Sequence, residues 1–434
     1  MMRPAWHRLR GRISGEAKMR TGLSVLLLSA ALAGCSTTNI GGPRAGSPRA
    51  ADPVQVTLIA FNDFHGNLEP PRRSITAPGA GAGEEVRVPA GGVAYLASAI
   101  QALKAANPNH LVLSAGDLVG ASPLVSSLFL DEPTIQAMNL IGIDYNAVGN
   151  HEFDRGRAEL LRLDRGGCEQ HTNRRPCAVD PAFGGADFGF LAANTITEGG
   201  EPIFPAYAIR SFGSGRRRVE VAVIGLTLKN TPTVVTPEGI AGLSFRDEAE
   251  TVNALIPRLK AEGADAIVVL IHQGAETKAG YNARTCEGLA GDLLPVLDRL
   301  SPEVDVVVSG HTHNAYICDY GTINPQRPFL LTSAGQYGTL LTEIRLAIDP
   351  GSGAVTAQSA ENRIVQGEAY RGSAGEVPVS ALYPVFAPHQ EVAALVARYR
   401  AAAEPFAARV IGTMSGPALR ETGRSGESVL GNLI

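Results

Sequence analysis

Short apolar strand signals alternating with helical stretches constrain the possible folds of this chain more than any other feature. Val54 to Phe61 is β-branched and alternating, and His110 to Ser114 and Tyr145 to Val148 are short apolar runs. Val219 to Leu226, Ala266 to Ile271 and Val304 to Ser309 continue the series. Between them Gly91 to Ala105 places Val93, Leu96, Ala97, Ile100 and Leu103 at helical spacing, and Thr134 to Ile141 and Glu248 to Ala261 read as further helices. Residues three and four apart share a helix face, whereas a strand turns successive side chains to opposite faces. Strands apolar on both faces must be covered on both, which predicts a mixed α/β sandwich with buried strands. Pro70 to Pro89 is rich in Pro and Gly and reads as a surface loop. Pro388 to Ala403 carries Val392, Leu395, Val396 and Tyr399 on one stripe, an amphipathic linker helix after the polar stretch Gly367 to Gly375.

With 434 residues, 44% hydrophobic and 18% charged, the chain can bury a large core and does not have the composition of a disordered tail. The formal charge is −4. Residues 1–34 hold Arg3, Arg8, Arg10, Arg12, Lys18 and Arg20 against Glu16 alone, so the remainder is more acidic still and a nucleic-acid polymer is not an expected partner. The basic stretch leads into the apolar block Leu23 to Gly34, shorter than the ~20 residues of a membrane span, and reads as a signal peptide. Its end, Leu32-Ala33-Gly34-Cys35, resembles the lipobox of bacterial lipoproteins. That resemblance implies an acylated Cys35, export to the periplasm or cell surface, and an anchor in the outer membrane rather than a spanning helix. Ordinary cleavage nearby would leave Cys35 a bystander. Ile40 to Asp52 reads as a tether, so the expected units are a leader at 1–34, a tether at 35–52 and a folded domain from 53. The other four cysteines fall as Cys168 with Cys177 and Cys286 with Cys318. In an exported protein that favours two disulfides over a zinc cluster, for which no C-x-x-C spacing exists.

Five motifs stand where predicted strands give way to loops, the edge at which functional side chains of open α/β sheets converge. They are Phe61-Asn62-Asp63-Phe64-His65-Gly66-Asn67, Ser114-Ala115-Gly116-Asp117-Leu118, Gly149-Asn150-His151-Glu152-Phe153-Asp154, Ile271-His272-Gln273-Gly274 and Gly310-His311-Thr312-His313. Singly, Asp63 with His65 reads as a turn cap, Gly116-Asp117 as a turn, and His272 as a core histidine. Together they offer carboxylates, an amide oxygen and several imidazoles, the donor set of divalent Mn, Zn, Fe, Co or Mg.

This ordered set resembles the calcineurin-like metallophosphoesterases, and within them the bacterial 5'-nucleotidase and UDP-sugar hydrolase group. The likeness runs from Val54 to Ile364 and includes Gly91-Gly92-Val93-Ala94-Tyr95-Leu96, Asp131-Glu132-Pro133-Thr134 and Thr231-Pro232. It implies a four-layer sandwich, two sheets flanked by helices, over residues 53–366. It also implies two divalent ions, one held by Asp63, His65, Asp117 and His313, the other by Asp117, Asn150, His272 and His311. His313 stands where some relatives have Gln or Asn. His151 would pair with Asp154 to stabilise charge on the transferring phosphoryl group and protonate the leaving oxygen.

The implied activity is phosphate removal from small phosphate esters, 5'-nucleotides above all, at the cell envelope. Cousins acting on UDP-sugars, 2',3'-cyclic nucleotides or sulfur esters share these motifs, and a non-catalytic metal-binding lipoprotein is the reading from another class. In the group a second domain, reached through the linker at 367–404, grips base and ribose. Residues 405–434 resemble only its opening, so no substrate-binding residue is named and poor discrimination between nucleotides is expected.

Overall fold

Along Val54–Phe61 the side chains of Val56, Leu58 and Ala60 point one way and those of Ile59 and Phe61 the other, and both sets are buried. That double burial sets the architecture. The computed structural model describes residues 52–373 and 375–410, with 412–414, 416–417, 421–422, 426, 428 and 430. The leader, Cys35 and the tether as far as residue 51 lie outside the described residues, as do 431–434 and part of 411–430.

One sheet runs in the order Val355–Ile364, Leu340–Ile348, Val54–Phe61, His110–Ser114, Tyr145–Ala147, Gly189–Leu191. Its pairings are parallel from Val54–Phe61 onward and antiparallel on the other side. The second runs Ala315–Asp319, Leu330–Ala334, Val306–Ser309, Ala266–Ile271, Val219–Leu226, Tyr207–Phe212, with four parallel central strands and an antiparallel strand at each edge.

Val56, Leu58 and Leu113 of the first sheet share a buried layer with Val221, Val268 and Val306 of the second. The outer face of the first sheet, with Ile59 and Val112, packs against Val93, Leu96, Ile100, Ile135 and Met138 of the helices Val93–Ala106 and Glu132–Ile141. The outer face of the second, with Ile224, Ile267 and Val269, packs against Val252, Ile256 and Leu297. Helices, sheet, sheet, helices make four layers, as the sequence patterning and the family resemblance implied.

At the N-terminal ends of the parallel strands, aspartates close the ladders. Asp144, Asp265 and Asp305 each stand one residue before a strand and accept a backbone N–H of the neighbouring strand, from Val112, Glu220 and Ile267 respectively, each at 2.8 Å. This leaves the opposite edge, where the strands end, free for other chemistry.

The stretch from Pro70 to Pro89 is not loop throughout. Arg73–Pro78 and Glu85–Ala90 pair as an antiparallel hairpin, because Ala77 and Val88 reach the core on one face while the Pro/Gly-rich part forms the turn. The helix Gln390–Ala407 lays Val392, Leu395, Tyr399 and Ala403 into the same cluster as Ile100 and Ile135, and the Tyr399 hydroxyl donates to Asp180. Cys168 is bonded to Cys177 and Cys286 to Cys318. The first bridge borders a buried ion network. Arg162 donates to both oxygens of Glu159 and to Glu132, which also accepts the backbone N–H of Cys177. Among the described residues no helix is long and apolar enough to cross a membrane.

Candidate metal centre

The loops after Phe61, Ser114, Ala147, Ile271 and Ser309 bring the five motifs together. Asp63, His65 and His313 place donor atoms within 4.8 Å of one another, and so do Asp117, His272 and His311. Holding them requires unusual backbone. Asp63, His65, Asp117, His311 and His313 all have positive φ, between 47° and 71°. Non-glycine residues there carry strain of order 1–3 kcal/mol each, tolerated where the surrounding structure fixes them. Close packing does so here. A Cβ at Gly149 would lie 2.2 Å from Asp117 Oδ1, and one at Gly116 would lie 2.6 Å from His272 Nδ1.

Backbone bonds fix the rings. His272 Nδ1 donates to the Ala115 carbonyl and His65 Nδ1 to the Gly120 carbonyl, each at 2.9 Å. A neutral imidazole donating from Nδ1 presents only a lone pair at Nε2. His272 Nε2 then faces Asp117 Oδ2 at 2.9 Å, acceptor against acceptor. His65 Nε2 lies 3.1 Å from His313 Nε2, 3.7 Å from Asp117 Oδ2 and 3.9 Å from Asp63 Oδ1. Asp117 Oδ2 thus stands between the two clusters, while its Oδ1 accepts the His151 backbone N–H. Neither the buried Oδ1 of Asn150 nor the buried Nε2 of His272 has a hydrogen-bond partner. Converging lone pairs of this kind are stable only around a cation or a shared proton, so these residues fit a pair of divalent ions.

Protein groups alone would answer with protons. Burial lowers the His272 pKa, but the facing Asp117 carboxylate outweighs it and lifts it to about 10. Burial would raise Asp117, yet the His272 charge holds it below the usual carboxylate range. Burial pushes Asp63 up to about 7. His311 and His313 fall to about 4, through burial first and then the charges of His272 and His65 respectively. Both are neutral donors at ordinary pH.

His151 sits at the rim, a third exposed, with Nδ1 2.9 Å from Asp154 Oδ2 and its ring 5.0 Å from that of His65. The bond to Asp154 raises its pKa to about 9. The imidazole is therefore a cation with Nε2 free to donate.

Three positioning residues escaped the sequence reading. Glu152, inside the third motif and 3% exposed, accepts backbone N–H groups of Asp117, Leu118 and Gly149, clamping two ligand loops with one carboxylate. Asn62 donates to Asp63 and to the Gly335 carbonyl and accepts the Ala334 N–H, tying the two sheets at the site. Tyr337, at φ 58°, donates its backbone N–H to the Asp63 carbonyl and sets its ring edge-on to His65 and His313. Most of their partners are backbone atoms or distant rings, which leave no local mark; the glycine beside Tyr337 is the only hint.

A two-sheet sandwich with paired clusters of oxygen and imidazole donors at its strand ends defines the class of metal-dependent phosphoester hydrolases. The model of the calcineurin-like phosphoesterase family matches residues 56–315, and the chain belongs to that family. It is 32% identical over 382 residues to endonuclease YhcR of Bacillus subtilis, covering 88% of this chain and 28% of that one. It is 30% identical over 285 residues to a probable 5'-nucleotidase of Treponema pallidum, covering 64% and 40%. Among solved structures, the NAD nucleotidase NadN of Haemophilus influenzae superposes with TM-score 0.62 at 19% identity, covering 85% of this chain and 63% of that one. The chain thus spans between about a quarter and two thirds of the length of these proteins.

Proposed function

We propose that this chain removes phosphate from 5'-nucleotides with two divalent ions, at the cell envelope. Asp63, His65, Asp117 and His313 would hold one ion, and Asp117, Asn150, His272 and His311 the other. Bound there, such a pair supplies Lewis acidity to phosphate oxygens and lowers the pKa of water. The chain's own part is orientation and proton supply. His151, fixed by Asp154 through Nδ1, presents a proton at Nε2 to charge developing on the phosphoryl group and to the departing oxygen. Glu152 keeps the Asp117 and Asn150 loops in register for that geometry. The observation that carries the reading is the buried 2.9 Å contact of His272 Nε2 with Asp117 Oδ2, between two donor clusters and beside an intact His151–Asp154 pair. The 5'-nucleotidase name of the Treponema relative and the acidic net charge favour a small nucleotide over a nucleic-acid polymer. Residues 53–366 would form the catalytic unit and 367–404 a linker, with 405–434 opening a recognition domain and an acylated Cys35 holding the protein on a membrane.

The test is metal analysis of purified protein, followed by phosphate release from AMP before and after EDTA and after adding back Mn, Zn or Co. About two ions per chain and metal-restored release from AMP are expected. Metal-independent release, or none from any phosphate ester after reloading, would refute the reading.

A further inference from the structure

A cavity of about 310 Å³ opens beside Gly91 between the start of the Arg73–Pro78 hairpin strand and the segment 367–371. Arg72, Arg73 and Arg371 line it, over a floor that includes Gly91 and Gly367. Among the described residues none of the three guanidinium groups has a carboxylate within ion-pair distance or a hydrogen-bond partner. Glu376, opposite Arg371 in its hairpin, makes no ion pair with it. Glu368 is the one acidic residue in the lining, and it also borders the adjoining cavity beside Tyr95 and Arg400. All three arginines are exposed, and an anion with several oxygens in the cavity they line would accept their forked N–H groups.

The cavity is coupled to the metal ligands through one aromatic ring. The Arg73 guanidinium carbon lies 4.9 Å from the centre of the Tyr337 ring, a cation–π contact. That ring stands 5.7 Å from His313 and 6.0 Å from His65. Tyr337 is fixed by its N–H bond to Asp63 and its left-handed backbone, so cavity and ligands are held in one frame. The Arg73 guanidinium at the cavity is thus one aromatic ring away from the ligand clusters, so an oxyanion bound there stands apart from a phosphate held at those ligands.

We propose that this arginine-lined cavity takes a second phosphate group, carried on the leaving part of the substrate several bonds from the one being cleaved. It rests on the phosphohydrolase reading above and narrows its substrate class to bisphosphates such as nucleoside 3',5'-bisphosphates. The bond broken is still the ordinary one, with water adding to phosphorus and the alcohol leaving with its proton. The second phosphate is bound and released unchanged.

The experiment compares kcat/KM for AMP, adenosine 3',5'-bisphosphate and p-nitrophenyl phosphate in the Mn-loaded protein and in R72A, R371A and R371K. The expected result is a preference for the bisphosphate over AMP of at least tenfold, a tenfold fall in that ratio in R371A and in R72A, and partial retention in R371K. A ratio near one in the unaltered protein, or one that the substitutions leave unchanged, overturns the proposal. So does an equal loss on both nucleotides, which would mark the arginines as general steering charges. If p-nitrophenyl phosphate is cleaved and neither nucleotide is, the nucleotidase reading fails by itself. The cavity is then judged by bisphosphate inhibition of p-nitrophenyl phosphate cleavage: a tenfold weaker inhibition in R371A supports the phosphate site, and unchanged inhibition overturns it.

Discussion

Replacing Asp305 by Asn should stabilise the fold at neutral pH, by an amount that depends on pH in a defined way. Asp305 stands before the strand Val306–Ser309 and accepts the Ile267 N–H at 2.8 Å. Burial, only partly offset by that bond and by Lys260, pushes its carboxyl up to about 6 from 3.8. A carboxyl whose folded pKa is raised is tolerated when protonated and penalised when ionised. The native chain therefore loses stability as pH rises from the unfolded pKa through the folded one, and the loss is complete above about 6. A shift of about two units corresponds to at most about 3 kcal/mol. Asn keeps an oxygen for Ile267 and cannot ionise, so the variant escapes the penalty. The constant part of the difference depends on how well the amide nitrogen is accommodated; the slope does not. Between about pH 5 and 8 the advantage of D305N should grow by about 1.4 kcal/mol and then level off. Urea unfolding of both proteins in EDTA across that range measures it. A difference that is flat with pH, or that shrinks as pH rises, would show that the carboxylate is not penalised and that the reasoning is wrong.

Other outcomes follow from the same contacts. Asp154→Asn should lower kcat on the order of a hundredfold or more with metal content unchanged, since it removes the partner that orients and charges His151; a loss of metal instead would make Asp154 a scaffold residue. His272→Ala should reduce bound metal from two ions per chain towards one by elemental analysis; retention of both would remove His272 from the ligand set. Arg162→Met leaves Glu159 and Glu132 buried without their cation and should destabilise by about 3–5 kcal/mol in urea, with a cost under 1 kcal/mol contradicting the network.

The central strands and most helices were legible because burial on both faces demands continuous apolar runs, as in Ala266–Ile271, and because the helix Val93–Ala106 repeats its apolar residues at helical spacing. What could not be read were the antiparallel outer strands. Val355–Ile364 spells Thr, Gln, Ser, Glu and Asn among its residues, since one of its faces meets water, and Tyr207–Phe212 is a half-exposed edge. Each pairs with the apolar strand next to it in sequence, Leu340–Ile348 or Val219–Leu226, across a short connection, but its own polar, half-exposed residues alternate too weakly to mark it as a strand. The hairpin at Arg73–Ala90 was masked by its own turn, where Pro and Gly outweigh the short alternation on either side.

The site was more legible than its support, and the reason lies in how one residue type serves opposite ends of a strand. Asp144, Asp265 and Asp305 at strand starts spend an oxygen on a neighbouring strand's N–H, so each closes a ladder. Asp63 and Asp117, after strand ends, also accept backbone bonds, but each turns an oxygen towards imidazole nitrogens of the site. Nothing in the identity of the residue separates the two uses; position along a parallel strand does. The sequence motifs revealed the second group because Asp63 is followed by His65 and other strand ends carry histidines at 151, 272, 311 and 313, a pattern that structural capping does not need. They could not reveal Glu152 or Asn62, whose partners are mostly main-chain groups available to any fold. The left-handed backbone at five ligands is the physical link between the two levels. That strain persists only because those silent carboxylate and amide clamps, and the glycines packed against them, leave the chain no relaxed alternative.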